Sequence, residues 1–189
     1  LVHVLDGLES EDQDRAQYAM HGLTRYFVRA PASHKKVIQE AFLVALQKNF
    51  SVENKALLMA ELQKIADDKA IPVLGFFLND NRLCDPAARA LITIATADAG
   101  KTVLASLASV PEQNRGTIIQ ALGELRYKPA VAHIMAIHDR HLNEIAVRAL
   151  AQIADPSCEN FIRESVSDSA NEDALLTFAK NLAADGHKR

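Results

Sequence analysis

Leu142, Ile145, Ala146, Ala149, Leu150 and Ile153, in the stretch Leu142-Asn143-Glu144-Ile145-Ala146-Val147-Arg148-Ala149-Leu150-Ala151-Gln152-Ile153, fall at i, i+3, i+4, i+7, i+8 and i+11. That spacing puts all six on one face of an α-helix, and a strand would scatter them over both faces of a sheet. The end of the stretch recurs. Glu61-Leu62-x-x-Ile65, Ala90-Leu91-x-x-Ile94, Ala121-Leu122-x-x-Leu125 and Ala149-Leu150-x-x-Ile153 repeat with leucine spacings of 29, 31 and 28. A period of this length is the mark of a stacked repeat protein.

Each string runs into a short polar or turn-forming segment, Asp67-Asp68, Thr96-Ala97-Asp98, Arg126-Tyr127-Lys128 or Asp155-Pro156, and then into a second apolar helix. The second helices repeat as well. Ala70-Ile71-x-x-Leu74 matches Ala130-Val131-x-x-Ile134 at an offset of 60, the offset that also separates Ile65 from Leu125. First helices are therefore expected near 53–66, 83–95, 111–125 and 142–154, and second helices near 69–79, 98–109, 128–138 and 156–166. Asp85-Pro86 and Asp155-Pro156 read as helix entrances, with Asp accepting a free N–H and Pro at the first helical position.

Outside these four repeats, a further pair is expected at 10–29 and 33–49, broken by Pro31, and residues 1–8 read as the tail of a helix ended by Gly7. A last segment, 170–184, carries Ala174, Leu175, Phe178, Ala179 and Leu182 and would close the exposed end of the stack. The resulting expectation is an all-α, right-handed α-solenoid of about five to six antiparallel helix pairs. It forms one domain over 1–189: an N-terminal pair at 10–50, four core repeats at 51–166 and a capping helix at 167–189.

Composition agrees with that class. Of 189 residues 49% are hydrophobic and 24% charged, while aromatics are 5% and Trp is absent, so the core must be built mainly from Leu, Ile, Val and Ala. The net charge of −3 and the short basic runs, Lys35-Lys36 and Lys188-Arg189, give no footprint for a phosphate backbone, so nucleic acid is not expected as a partner. No run of eighteen apolar residues is present, and membrane insertion is not expected. Cys84 and Cys158 are too few and too far apart for a disulfide framework and read as small buried side chains. Opening on Leu1 rather than Met, the sequence reads as a processed chain or a piece of a longer protein, with its compartment left open.

The pattern in Ala88-Arg89-Ala90-Leu91-x-x-Ile94 and Val147-Arg148-Ala149-Leu150-x-x-Ile153 resembles the HEAT-repeat family, in its short bacterial form, over roughly residues 50–166. The resemblance implies a ladder of hydrogen bonds between repeats, made by an Arg on the first helix and an Asp near the turn. Arg89 and Arg148 match the Arg position, whereas Ala60 and Gln120 replace it in the other two repeats, so the ladder would be incomplete. The run from Asn54-Lys55-Ala56-Leu57-Leu58 through Leu78-Asn79-Asp80 to Leu83-Cys84-Asp85-Pro86-Ala87-Ala88-Arg89-Ala90-Leu91 also resembles HEAT modules in large secreted bacterial proteins, some with a carbohydrate-active domain.

No reaction centre stands out. His138-Asp139-Arg140-His141 with Glu144 has the residue types of a metal site, but the helix boundaries put the run in a solvated loop, and no metal or cofactor is expected. HEAT-like enzymes that bind iron use His-Glu dipeptides, and none occurs here. HEAT-like enzymes that excise alkylated bases use a basic, aromatic groove, which the weak charge and missing Trp do not supply. The activity of HEAT-like proteins that attach chromophores is left open by the repeats. Gly-rich phosphate loops and nucleophile elbows are absent.

The expected function is a non-catalytic scaffold that binds a protein partner, or a neighbouring domain, through the concave side lined by second helices. Candidate contacts are Lys69, Phe76, Phe77, Lys101, His133, His138, Asn160 and Arg163. Adjacent Phe76 and Phe77 cannot share one helical stripe, so either one is exposed or meets a neighbouring repeat, or both pack between repeats. Two other functions stay open: an accessory domain of a secreted carbohydrate-processing protein, with glycan contacts, and an enzyme whose site is scattered through the sequence.

Overall fold

The computed structural model describes residues 2–165 and 172–186, all-helical apart from turns and connections. What the sequence led us to expect at 166–171, including the start of the last helix near 170, and at Lys188-Arg189 lies outside the described residues. The chain divides into two compact units, 1–102 and 103–189.

The first unit opens with α1 (Val2–Gly7), α2 (Gln13–Val28), α3 (Ala32–Leu46) and α4 (Val52–Leu62). A 3-10 turn at Asp68–Ala70 then leads into α5 (Ile71–Phe77), followed by α6 (Cys84–Ile94) and α7 (Ala97–Ser106), which runs past the unit boundary. Here α1 packs on α2, α2 on α3, α3 on α4, and α6 receives both α4 and α5. The second unit holds α8 (Glu112–Glu124), a 3-10 turn at Lys128–Ala130, α9 (Val131–Met135) and α10 (Asn143–Ile153). After a further 3-10 turn at Pro156–Cys158 come α11 (Glu159–Ser165) and α12 (Glu172–Ala184). Helix α10 lies between α8 and α12 and also touches α9 and α11.

The four repeated leucines, Leu62, Leu91, Leu122 and Leu150, are fully buried at one place on successive first helices. Leu58, Ala87, Ile118 and Ala146, one turn earlier, are buried too. So are the inner residues of the second helices, Ala70, Ala99, Ala130 and Cys158, followed by Leu74, Val103, Ile134 and Ile162. Small side chains alternate with large ones at these positions, which lets helices approach. A Cβ added at Gly123 on α8 would lie 2.7 Å from the Cα of Ala149 on α10, so that crossing has no room for even a methyl group.

Long-range polar bonds also step by about one repeat. In the first unit the Gln39 side-chain amide donates to Asp67 Oδ1 (2.6 Å) while the Asp67 backbone N–H donates to Gln39 Oε1 (2.7 Å). Thr96 Oγ1 donates to Asp68 Oδ1 (2.6 Å), and Arg82 pairs with Glu53 (2.5 Å). In the second unit Arg126 Nε donates to the Gln152 carbonyl (3.0 Å), and Asn181 Nδ2 reaches the Ala151 carbonyl (3.3 Å). Of the two arginines at the matching position of the repeats, Arg89 pairs with Asp85 and Arg148 with Glu144, each one turn away on its own helix.

The ends of the helices follow the repeat as well. Ala95, Arg126 and Ala154, each four residues past its buried leucine, adopt left-handed backbone with φ of 57°, 50° and 55°. Pro31 and Pro111 enter α3 and α8 with the same φ of −53° and ψ of 150°. Asp155 accepts from the Ser157 N–H (3.0 Å), as the sequence suggests, but Asp85 does not cap α6. Helix α6 begins one residue earlier, and Asp80 caps the turn before it by accepting from the N–H groups of Arg82 (2.8 Å) and Leu83 (2.9 Å). The second helices are also shorter than expected: α5 ends at Phe77 and α9 at Met135, leaving His138 in the following loop.

Two outcomes are expected. Ala95→Gly and Ala154→Gly should each stabilise the protein by about 0.5–1 kcal/mol in urea unfolding, since a Cβ is strained in left-handed backbone and glycine is not. The Gln39 amide, the largest influence on Asp67, holds its carboxyl below the usual range, with Lys69 and Lys36 also contributing. A depressed folded-state pKa means stability present above the unfolded value and lost as pH falls through the folded one. Gln39→Ala should cost about 2 kcal/mol near neutral pH, and Asp67→Asn should flatten the loss of stability below about pH 4.

Candidate functional site

The eight residues proposed from sequence do not form one set. Counted from the buried leucine of its own repeat, Lys69 is 7 residues on, Lys101 and Asn160 are 10, His133 is 11 and Phe76 is 14. Those offsets trace the face of a second helix opposite its buried residues, and all five side chains are exposed. Arg163 lies at the edge of that face, paired with Glu159 one turn earlier (2.9 Å). His138 is exposed on the loop beyond α9.

In the first unit the adjacent phenylalanines have parted. Phe76 is 77% exposed, whereas Phe77 is 6% exposed and belongs to the core. Their rings meet edge to face at 5.4 Å, and Lys55 Nζ lies 5.8 Å from the Phe77 ring centre. Phe77 is thus removed from the set of surface contacts, because the hundred-degree step between helix neighbours turns it towards Leu74 and the core. Its buried ring gives Phe76 a fixed platform. Lys69 approaches Glu40 (3.7 Å), and Lys101 makes no ion pair among the described residues.

The second unit contains a cleft of about 570 Å³ lined by Ile137, His138, Asp139, Arg140, Asn143, Phe161 and Ser165. It sets a half-buried aromatic ring among polar side chains of both charges. Among the described residues no group of three or more His, Cys, Asp or Glu side chains is placed to hold a metal ion. Cys84 and Cys158 are buried, and burial, followed by Asp85 and Asp155 respectively, pushes each thiol up to about 11, which disfavours nucleophilic roles.

Sequence reasoning missed a polar seam along α4. Glu61 occupies the place held by Ala90, Ala121 and Ala149 in the other repeats; its side chain is fully buried. It meets His21 Nδ1 at 2.5 Å and Lys64 Nζ at 2.8 Å. Two turns earlier, buried Asn54 donates to the Leu8 carbonyl (2.6 Å) and Glu9 Oε1 (2.9 Å) and accepts from Gln13 and Gln17 (3.3 Å each). The signal was present: Glu61 is the one departure from Ala-Leu in the four strings. The seam ties α4 to α2 and to the residues between α1 and α2, so its part is structural.

Among the described residues no helix is long and apolar enough to cross a membrane. No protein-family model matches the chain, and no curated protein matches it. A crystal structure of an engineered protein, from a structural genomics consortium, is similar in fold: 21% identity over 96% of each chain, with a TM-score of 0.51.

Proposed function

We propose that the chain is a HEAT-like helical-repeat module that binds a protein partner or a neighbouring domain through the solvent side of its second helices, without catalysing a reaction. Support for the repeat reading comes from the equivalent buried leucines and from polar bonds that step by one repeat within each unit. The observation that carries the binding reading is Phe76, a large aromatic 77% exposed and seated on a buried ring. Exposed aromatics held rigid lose little entropy on binding and are frequent anchors of protein interfaces.

A second reading, glycan contact, draws on the Phe161 cleft, where an aromatic ring lies beside Asn143, His138 and Asp139. Ring faces and mixed hydrogen-bonding groups are what a sugar requires of a site.

A photo-crosslinking phenylalanine analogue at position 76 should capture a discrete partner in cells of the source organism, and one at exposed Arg148 on a first helix should not. Equal yields at the two positions would sink the second-helix reading. Phe76→Ala should change stability by less than about 0.5 kcal/mol, so its loss of capture would report binding. For the glycan reading, oligosaccharide titration should shift the NMR signals of Phe161 and not those of Phe76; unchanged Phe161 signals across neutral and acidic oligosaccharides would dismiss it.

A further inference from the structure

The α2–α3 hairpin differs in charge from the rest of the chain. From Gln13 to Leu46 it contains Arg15, Arg25, Arg29, Lys35 and Lys36 against Asp14 and Glu40, a charge of +3 in a chain whose total is −3, so the remainder carries −6; between 15 and 39 there is no Asp or Glu. Within α2 the cations are arginines. Arg15 approaches Asp12 at 3.9 Å, while Arg25 and Arg29 make no ion pair among the described residues. Most arginines elsewhere are paired, as Arg82, Arg89, Arg126, Arg148 and Arg163 show. Lys36, on α3, acts on Asp67 at longer range.

The same face carries two exposed tyrosines, Tyr18 at 84% and Tyr26 at 71% exposure, and both are anomalous for residues of their size. Tyr26 stands edge to face on Phe27 at 5.2 Å, and Phe27 in turn on His34 of α3 at 6.3 Å, so its ring is supported from behind. Midway between the tyrosines, four residues from each, is Gly22, and nothing lies within 4 Å of where its Cβ would be. A glycine inside a helix weakens it, and no packing among the described residues requires one there. It leaves a notch between two rings whose Cα atoms are roughly 12 Å apart along the axis, enough for a second helix at the usual 8–10 Å separation.

We infer that the exposed face of α2 docks an acidic α-helix of a partner protein, which crosses at Gly22 between Tyr18 and Tyr26 and places carboxylates against Arg25 and Arg29. Arginine and tyrosine are the side chains that dominate such contacts, and guanidinium forks suit carboxylates. A long phosphate polymer fits less well, because the −6 carried by the rest of the chain repels it beyond the hairpin, whereas a short acidic helix touches the basic face alone. The inference is independent of the second-helix reading and uses none of its residues.

The test exploits the absence of Trp and the presence of three tyrosines, two of them on this face. Tyrosine emission is followed as the full chain is titrated with a synthetic alanine-based helical peptide bearing glutamates along one side. The same peptide with lysines, and an oligouridylate of equal charge, are titrated in parallel. Saturable binding of the glutamate peptide, weakened at least tenfold by Arg25→Glu with Arg29→Glu, is expected. Gly22→Gln should raise Tm by roughly 2–4 °C yet weaken binding at least tenfold, a combination that misfolding cannot produce. Equal or tighter binding of oligouridylate, unchanged affinity in Gly22→Gln, or no binding of the glutamate peptide would each overturn the inference. So would a dimer in sedimentation that Arg25→Glu dissociates, since the face would then be covered by a second copy.

Discussion

The apolar stripes of α4 and α6, and of α8 and α10, close against one another. Leu62, Leu91, Leu122 and Leu150 lie with residues one turn earlier on a stripe that must be closed by another first helix. That requirement sets the layering within each unit, α4 against α6, and α8 against α10 against α12. It also explains the small residues at the crossings, because a helix of Leu and Ile alone would stand too far from its neighbour for this packing. Gly123 is the limiting case, with the Ala149 backbone occupying the space that its side chain would need.

Beneath the single repeat is a double one. Helices α4 and α8 begin from extended residues, Ser51 and Pro111, and each carries a buried asparagine in its first turn, Asn54 and Asn114. Helices α6 and α10 instead begin after an Asp-centred turn at Asp80 or Asp139, follow a helical-region leucine, Leu83 or Leu142, and end in a left-handed alanine. The four helices thus alternate between two kinds of start: the Ser51 hydroxyl and the Pro111 carbonyl accept from the N–H groups of Asn54 and Asn114 inside α4 and α8, whereas Asp80 and Asp139 fix the turns that lead into α6 and α10.

The helices were legible because period and punctuation agreed. The spacing of Leu62, Leu91, Leu122 and Leu150 fixed the first helices, Pro31 marked the break before α3, and Asp155-Pro156 marked an entrance that the structure uses. The shortness of α5 and α9 was not legible, since Leu78 and Ile137 continue an apolar pattern in the chain after the backbone has left the helix. Site residues were harder to place for a related reason. Periodicity says that Phe76 and Phe77 face different ways, but which one faces inward depends on the phase set by Leu74 and Ile71. The basic face of α2 was invisible to a search for basic runs, because helical neighbours such as Tyr18, Gly22, Arg25 and Arg29 are scattered along the chain.

Glu61 bears on a hazard peculiar to chains built from similar parts. Helices that share one pattern can stack in the wrong order, and an aliphatic stripe alone discriminates weakly among neighbours. Slipped by one period, Glu61 would keep Lys64, three residues on in its own segment, but would meet an aliphatic partner in place of His21, leaving a buried carboxylate one partner short. The seam formed by Glu61 and Asn54 is therefore an address label: it names α2 as the neighbour of α4 and makes a misfiled helix energetically conspicuous.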